Sequence, residues 1–408
     1  MEKSRKDIIP TGGKSIVANI RQTFVSLFAL PLWYIQHFQK RDKNLWTFGA
    51  WSGEQYSDNS RALYEYVLTN HPEIRCVWIT RSNKIYNQLK ADGKPVALCT
   101  SIEGKQIQRK AGYFFMTSNH LDADIRQMNG IRFVNLWHGM PLKKIGEDAM
   151  EHVREKGLWK RIKTKIRKMI MPWEFISGPT VCGSPFFIPF LQSAFQLRKD
   201  EIYTISEPRL SRLNINKREQ LIEEIDAQFN HPLKVLYMPT FRDSQVGSFN
   251  PFSETIGFND KRLESLLVQQ NIVFLYKGHF VDNVKAIVKN GGRLRTISDD
   301  DYDDLYWLLN DIDVLITDYS SVYFDFLCLR RPMILFPFDY EDYVARSREF
   351  YFDYELMEAI KVFTWQELEA CLSNKTYHIP SDNEMKRFRP SPIGDCREKL
   401  VKLLCKNT

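Results

Sequence analysis

The chain has 408 residues, of which 43% are hydrophobic, 13% aromatic and 26% charged. This composition is that of an ordinary globular protein with a full core, and it excludes disordered, collagen-like and coiled-coil chains. The 57 Lys and Arg residues exceed the 50 Asp and Glu residues, so the formal net charge is a mildly basic +7. The seven cysteines are scattered and form no CxxC pair. A disulfide framework or zinc site is therefore not expected, and a reducing cytosol is indicated.

Residues 1–44 are predicted to form a membrane-associating segment. The uncharged stretch 22–39 is rich in large apolar side chains, but Pro31 and several polar residues interrupt it. A membrane span needs about 20 mostly apolar residues, and no small-residue cleavage site of a signal peptide follows. A helix lying in the membrane interface, a core helix of the first domain and a true span all stay open. One helical face would carry Ile16, Ile20, Phe24, Leu27 and Phe28.

Residues 151–173 have the pattern of a basic amphipathic helix. Apolar residues recur at steps of three and four, as on one edge of a helix: Trp159, Ile162, Ile166, Met169 and Trp173. Each basic residue near an anionic leaflet adds about 1 kcal/mol, and Trp settles at the headgroup level. The pattern favours a membrane-surface helix over a solvated helix with a core stripe. Nucleic-acid binding is a third alternative, although no RNA or DNA module signature accompanies the charge.

The rest of the chain alternates short β-rich runs with helical patterns. The strands predicted in the first series are 45–50, 75–80, 95–100, 113–118, 131–136 and 202–205, with helices at 60–69 and 83–91. After a predicted helix over 212–229, the second series has strands at 234–238, 272–276, 294–297, 314–317 and 333–336. Two such series predict two doubly wound α/β domains, 45–210 and 211–390, facing a central cleft, and a C-terminal helix within 391–408.

Polar loops at strand ends are the predicted location of the chemistry, because open α/β sheets bind ligands beyond the carboxyl ends of their strands. One apolar strand ends at Thr317, and Ser320 and Ser321 then precede an apolar helix. The amino end of a helix is suited to an anion, and the serine hydroxyls add donors. The alternative interpretation is that Ser320 only caps this helix.

Three other strand-end loops carry His or basic residues. Arg242 follows one strand and can bind phosphate with two donors. Lys277 and His279 flank a glycine that allows close backbone approach after a second strand. His138 stands at the start of a loop containing Gly and Pro after a third. Together these loops predict a phosphorylated ligand in the cleft between the two domains.

Four motifs in the chain resemble those of the CDP-glycerol glycerophosphotransferase family, which includes teichoic acid primases and polymerases and enzymes of capsule synthesis. They are Trp-His-Gly-Met-Pro-Leu-Lys-Lys-Ile-Gly at 137–146, Pro-Thr-Phe-Arg-Asp at 239–243, the loop at 277–279 and Ile-Thr-Asp-Tyr-Ser-Ser at 316–321. Residues 46–59, which end at Asn59, and residues 331–340 also resemble the family, so the likeness runs from about 46 to about 354. Local departures occur at Met140 and Phe280, and the segment 206–209 matches only at Pro208 and Arg209.

The resemblance implies a GT-B-like fold and peripheral attachment to the cytoplasmic face of the cell membrane, with an anionic membrane surface as a partner. It also implies transfer of a polyol phosphate from a CDP-activated donor to a lipid-linked or polymer acceptor, in teichoic acid or capsule synthesis. CMP leaves when the acceptor hydroxyl attacks the β-phosphorus. CDP-glycerol is the expected donor, and CDP-ribitol is the alternative. No cofactor is required, although Mg²⁺ can accompany the donor pyrophosphate, and no nucleic acid is an expected partner.

The resemblance also assigns roles to the strand-end residues. His138 is the expected base because imidazole titrates near cytosolic pH, and His279 is the alternative. The expected contacts of the donor phosphates are Arg242, Lys277, His279, Thr317, Asp318, Ser320 and Ser321, with Asp318 orienting the turn. Gly139, Pro141 and Lys143 form the acceptor-side loop. The acidic run 299–304 lacks the Gly and the distal Glu of a calcium loop, so no metal site is predicted there.

Two other classes of function stay open at this point. A GT-B glycosyltransferase of cell-surface polysaccharide would keep the fold and use a nucleotide sugar as its donor. A non-catalytic membrane scaffold would keep the surface helices, but the concentration of Arg, Lys and His at strand ends argues against it.

Overall fold

The computed structural model describes residues 29–118, 120–149, 158–175, 178–240, 250–278, 291–346, 349–389, 394 and 396–406. The chain divides into two compact units. Unit 1 comprises 1–56, 64–135 and 154–178, and unit 2 comprises 57–63, 136–153 and 179–408. The predicted domain limits stay predictions. These units differ from them mainly in grouping 57–63, 136–153 and 179–210 with the second half of the chain.

Unit 1 is built around parallel strands in the order β3-β2-β1-β4-β5. The strands are β1 (Asp42–Phe48), β2 (Arg75–Thr80), β3 (Val96–Leu98), β4 (Ala111–Met116) and β5 (Arg132–Asn135). The helices are α1 (residues 29–36), α3 (Asn83–Ala91), α4 (Ile102–Lys110) and α6 (Leu158–Ile170), and α2 (Asp58–Asn70) follows β1 in the chain. Every residue of β4 is buried, as expected for a central parallel strand with no polar face.

Unit 2 contains a six-stranded parallel sheet in the order β10-β9-β8-β11-β12-β13. Its strands are β8 (Leu233–Tyr237), β9 (Ile272–Tyr276), β10 (Leu294–Thr296), β11 (Val314–Thr317), β12 (Met333–Leu335) and β13 (Ile360–Lys361), and β6 (Thr180–Val181) pairs with β7 (Ile202–Tyr203). The helices are α5 (Gly146–Ala149), α7 (Ile188–Phe195), α8 (Gln220–Phe229), α9 (Asp260–Gln269), α10 (Leu305–Leu309), α11 (Val322–Phe326), α12 (Tyr340–Arg346), α13 (Trp365–Asn374), α14 (Asp382–Phe388) and α15 (Cys396–Lys406).

The six-stranded sheet is buried on both faces. Successive side chains of a strand point to opposite faces. Leu236 of β8 and Leu315 of β11 accordingly belong to one hydrophobic cluster, whereas Val235 and Ile316 belong to another. Helices packed on both faces of a parallel sheet are the doubly wound architecture that the sequence predicts, and this part of the prediction is confirmed.

Two helix predictions were wrong in their extent. The helix expected over 212–229 begins at Gln220, and Pro208–Arg212 forms a short 3₁₀ helix instead. The helix expected over 151–173 ends at Ile170, because Pro172 begins a separate 3₁₀ turn. Trp173 is consequently buried and does not extend the apolar edge of α6. The face formed by Ile16 to Phe28 and residues 151–157 lie outside the described residues.

Candidate active site

Two neighbouring strands of unit 2, β8 and β11, end in loops that are joined by hydrogen bonds. The Thr317 hydroxyl donates to the carbonyl of Met238 (2.6 Å). The buried carboxylate of Asp318 accepts from the backbone N–H groups of Thr240 (2.7 Å) and Tyr319 (2.5 Å). Both side chains therefore shape the turn that leads to Ser320 and Ser321.

The two serines lie half-buried at the start of α11, which continues into the 3₁₀ turn Leu327–Leu329. The Ser320 hydroxyl accepts from the N–H of Val322 at 3.4 Å, a long and weak hydrogen bond. The Ser321 hydroxyl makes no capping hydrogen bond to this helix. Capping of the helix therefore explains the presence of a hydroxyl at Ser320 only weakly and does not explain the hydroxyl at Ser321.

The loop that carries His138 lies directly against Ser321. A Cβ atom built on Gly139 would be 2.5 Å from the Ser321 hydroxyl oxygen and 2.9 Å from its Cβ, so only glycine fits here. Gly139 has φ +145°, and Trp137 has φ +54°, which is left-handed. The half-buried His138 stands between these two residues, its ring 4.0 Å from the ring of Trp137.

The loop predicted to lie on the acceptor side is held by a second segment of unit 2. Lys143 pairs with Phe350 as an antiparallel bridge. The N–H of Tyr351 donates to the carbonyl of Leu142 (2.8 Å), while Pro141 is buried. The Lys143 ammonium lies 6.0 Å from the ring of Tyr343. The loop that carries His138 therefore also carries a cation, the Lys143 ammonium.

Lys277, an expected phosphate contact, already has a carboxylate partner. Its ammonium lies 2.8 Å from Asp299, which also accepts from the hydroxyl of Tyr302 (2.6 Å). Burial and the adjacent Asp299 raise the pKa of Tyr302 well above its usual value. Elsewhere in the acidic run, Asp304 caps α10 by accepting from the N–H of Tyr306 (2.9 Å). The other two expected residues, Arg242 and His279, lie outside the described residues.

Sequence patterns did not indicate a group of charged side chains buried behind this site. We call it the buried charge network: Glu207, Arg209, Asp325 and Arg389 are buried, and Asp58, with a side chain 9% exposed, lies at its edge. Arg209 is 2.7 Å from Asp58 and 2.7 Å from Asp325, and Arg389 is 2.6 Å from Glu207 and 2.6 Å from Asp325. Burial lowers the pKa of Arg209, but the carboxylates of Asp325 and Asp58 outweigh it and raise that pKa well above its usual value.

Among the described residues, one group of three side chains has the composition of a metal site: Glu358, His378 and Glu384. The buried Glu384 carboxylate accepts from the Tyr323 hydroxyl and from the N–H of Glu358 (3.2 Å), and it lies 3.1 Å from His378 Nε2. Hydrogen bonding within the protein therefore accounts for this cluster.

Parallel doubly wound sheets with polar loops at the strand ends agree with the GT-B-like α/β fold that the resemblance implies. The family model described as CDP-glycerol:poly(glycerophosphate) glycerophosphotransferase matches residues 32–387, and the chain belongs to this family. The family and the enzyme class predicted from the sequence motifs are thereby confirmed.

Relatives and solved structures agree with this membership. The chain is 29% identical to a teichoic acid glycerol-phosphate transferase of Staphylococcus aureus (strain NCTC 8325 / PS 47), over 84% of each chain. It is 32% identical to a teichoic acid poly(glycerol phosphate) polymerase of Bacillus subtilis (strain 168), over 76% of this chain but 40% of that longer protein. The structure of the wall teichoic acid polymerase TagF superposes with a TM-score of 0.72 at 21% identity, covering 97% of this chain and 98% of that one. This superposition confirms the fold.

Proposed function

We propose that this protein transfers glycerol phosphate from CDP-glycerol to a hydroxyl of a lipid-linked or polymer acceptor and releases CMP, in teichoic acid or capsule synthesis. Family membership supports the reaction class. Glycerol phosphate is the polyol phosphate named for both relatives described above, which align with most of this chain. A TagF variant soaked with CDPG has the same fold, which supports a CDP-linked donor.

The observation that carries the proposal is the contact between the His138 loop and Ser321. In the proposed step, an acceptor oxygen attacks the β-phosphorus of the donor. The bond from that phosphorus to the bridging oxygen breaks, and the electron pair leaves with CMP. His138 takes the proton of the attacking hydroxyl, and His279 is the second candidate for this role. Phosphoryl transfer depends chiefly on positioning and on charge stabilisation, so a base loop packed on hydroxyl donors suits it.

The donor phosphates are proposed to contact Ser320 and Ser321, together with Arg242 and Lys277. In this proposal the Lys277 ammonium either leaves Asp299 to bind a phosphate oxygen or binds both groups at once. Thr317 and Asp318 act in this proposal through the loops they join. No cofactor takes part, and Mg²⁺ serves at most to accompany the donor pyrophosphate.

We also propose that unit 1 sits on the anionic surface of the cell membrane, at its cytoplasmic face. We call the exposed apolar side chains of α1, of α6 and of the turn after α1 the apolar outer set: Leu32, Ile35, Phe38, Ile162, Ile166 and Met169. Phe38 is 87% exposed and Ile35 is 67% exposed. Across the described ranges, no helix is both long and apolar enough to cross a bilayer.

The surroundings of the apolar outer set suit the interface of an anionic bilayer. The exposed Lys165, Arg167 and Lys168 lie on the same helix as half of the set. The rings of Trp33 and Trp173 meet at 5.7 Å, which packs α1 against the turn that follows α6.

All seven cysteines are free thiols, in keeping with a reducing compartment.

The test is release of CMP by the purified chain with anionic liposomes and a lipid-linked acceptor. CDP-glycerol, CDP-ribitol and a UDP-sugar are offered separately. We expect turnover of CDP-glycerol by the wild type and a loss of about 100-fold or more in His138→Ala, which is the lower end for general base catalysis. His231→Ala is the matched control, because His231 is an exposed histidine of the same unit and leaves the site intact.

Each donor gives a different answer. Turnover of CDP-ribitol alone replaces glycerol by ribitol, and turnover of the UDP-sugar alone identifies a glycosyltransferase. Full activity of the His138 variant contradicts its role as base, and the same assay on His279→Ala then tests the alternative. No turnover with any donor or acceptor contradicts the proposal.

A further inference from the structure

The backbone just before His138 has a conformation that does not form by itself. Trp137 is a bulky residue at φ +54°, and Gly139 has φ +145°. Residues held in sparsely populated regions persist only where the surrounding structure fixes them. The loop therefore needs contacts that hold its backbone, and those contacts set where the His138 ring lies.

Asn59 provides such contacts from the start of α2. Its side-chain amide donates to the carbonyl of Leu136 (3.2 Å) and to the carbonyl of Trp137 (2.8 Å). These are the two peptide groups immediately before His138. The Asn59 side chain is fully buried, so its hydrogen bonds are shielded from competing water.

The same side chain links the His138 loop to the helix of Ser321. The Asn59 side-chain oxygen accepts from the backbone N–H of Arg209 (3.0 Å). The guanidinium of Arg209 in turn binds Asp325 on α11 (2.7 Å), one turn after Ser321. Asn59 therefore joins two elements that meet at the contact between Gly139 and Ser321, and all of these residues belong to unit 2.

We propose that Asn59 is a positioning residue, which fixes the His138 ring relative to Ser321 by holding the carbonyls of Leu136 and Trp137. It acts through the backbone of the loop and does not touch the reacting atoms. The proposal rests on the proposed function, because it assigns Asn59 to the step in which His138 takes a proton. Only an amide fits both contacts, because it donates to the two carbonyls and accepts from Arg209.

The decisive variant is Asn59→Asp, which is isosteric and still accepts from Arg209 but turns a carboxylate oxygen toward the two carbonyls. Asn310→Asp is the matched control. Asn310 also belongs to unit 2, donates to the carbonyl of Arg212 (2.9 Å) and accepts from the N–H of Asn214 (2.7 Å). Asn59→Ala is a second variant, which removes the donor without adding charge. Thermal unfolding of the whole 408-residue chain verifies that each variant is folded.

Two readouts are needed. The first is amide hydrogen exchange of the peptide that contains 136–140, which requires no substrate. We expect it to be at least about tenfold faster in both Asn59 variants and unchanged in Asn310→Asp. The second is steady-state kinetics, in which we expect kcat to fall about 100-fold while KM for the donor changes by less than about threefold, because a misplaced base impairs the chemical step.

The outcomes separate this proposal from the proposed function. Unchanged exchange in the loop overturns the positioning role, and so does faster exchange with unchanged kcat. The positioning role is also overturned if KM rises and kcat falls in Asn310→Asp, because the loss of activity is then not specific to Asn59. A wild type that turns over no CDP-polyol contradicts the proposed function, whereas the exchange data still decide whether Asn59 holds the loop.

Discussion

The two compact units each contain one group of side chains whose burial is unusual for its chemistry. Unit 2 buries or nearly buries the five charged side chains of the buried charge network, and unit 1 exposes the six side chains of the apolar outer set. A buried ion pair is weak evidence of stability, but removing one partner leaves an uncompensated buried charge. An exposed apolar patch marks a contact surface. In the roles proposed above, the buried charges of unit 2 lie behind its strand-end loops, whereas unit 1 presents its apolar outer set to a membrane.

The largest expected effect is on the buried charge network. Arg209→Met removes the cation between Asp58 and Asp325 and leaves their carboxylates buried. Breaking a buried pair in this way costs about 3–5 kcal/mol of unfolding free energy. Urea denaturation measures this loss.

The matched control for Arg209→Met is Arg198→Met, which removes an exposed arginine paired with Asp200. We expect no measurable change in the denaturation midpoint, because solvent screens that pair. Equal midpoints for the two variants would show that the buried network has no more effect on stability than a surface pair.

A smaller effect is expected at the contact between the His138 loop and Ser321. Gly139→Ala places a Cβ 2.5 Å from the Ser321 hydroxyl oxygen at a φ of +145°. Backbone strain of this kind costs about 1–3 kcal/mol. We also expect kcat for CMP release to fall at least tenfold, because the loop must move away from Ser321. Unfolding free energy and CMP release are measured on the same preparation.

Two variants separate the contact from the strain. Gly93→Ala also lies at a positive φ (+69°), but nothing is within 4 Å of the new Cβ. It therefore reports backbone strain alone. Ser321→Gly combined with Gly139→Ala removes the clashing atoms, and we expect it to recover part of the stability but not the activity. If the double variant is as unstable as Gly139→Ala, the contact with Ser321 is not the cause.

The parts of the molecule that the sequence predicts are those encoded locally. The strands at 75–80, 272–276 and 314–317 are found with the predicted bounds, because each is an apolar run between turns. The exposed apolar edge of α6 follows from its steps of three and four residues. Motif spacing also identified the family, because its strand-end loops keep their order in the chain.

The parts that the sequence does not predict depend on contacts between distant segments. Asn59 and Arg209 both stand in stretches that resemble the family, yet nothing local indicates that one donates to the other. Trp173 continues the apolar spacing of α6 but packs on Trp33, far away in the chain. Lys277 and Asp299 form an ion pair across 22 residues. A pattern of residue types gives no information on such pairings.

A further prediction tests the contact surface of unit 1. Ile35→Glu places a charge in the apolar outer set and should weaken binding to anionic vesicles about tenfold or more, because burying an isoleucine contributes about 1.5–3 kcal/mol. Ile102→Glu is the matched control, since Ile102 is an isoleucine of the same unit that is 81% exposed and lies outside the set. Sedimentation with vesicles of anionic and of neutral lipid measures both. Equal binding of the two variants would contradict the proposed membrane surface.

The smallest expected effect concerns a charged group of unit 2 outside the buried charge network. Burial raises the pKa of Asp226, but hydrogen bonds from Arg218 and Lys234 outweigh it and lower that pKa to about 2. An unfolded Asp titrates near pH 3.9, so between these values the unfolded state binds more protons than the folded state. The stabilisation is therefore complete above about pH 4 and is lost as the pH falls toward 2.

Urea midpoints between pH 6 and pH 2.5 measure this dependence. Asp226→Asn should be less stable than the wild type at pH 6. Below pH 4 its stability should also fall less steeply, because the variant lacks the proton, up to one per molecule, that Asp226 releases on folding. Asp200→Asn is the matched control, because Asp200 is exposed and its pairing with Arg198 is screened by water. If the wild type and Asp226→Asn lose stability in parallel on acidification, the ionised Asp226 is not held by Arg218 and Lys234.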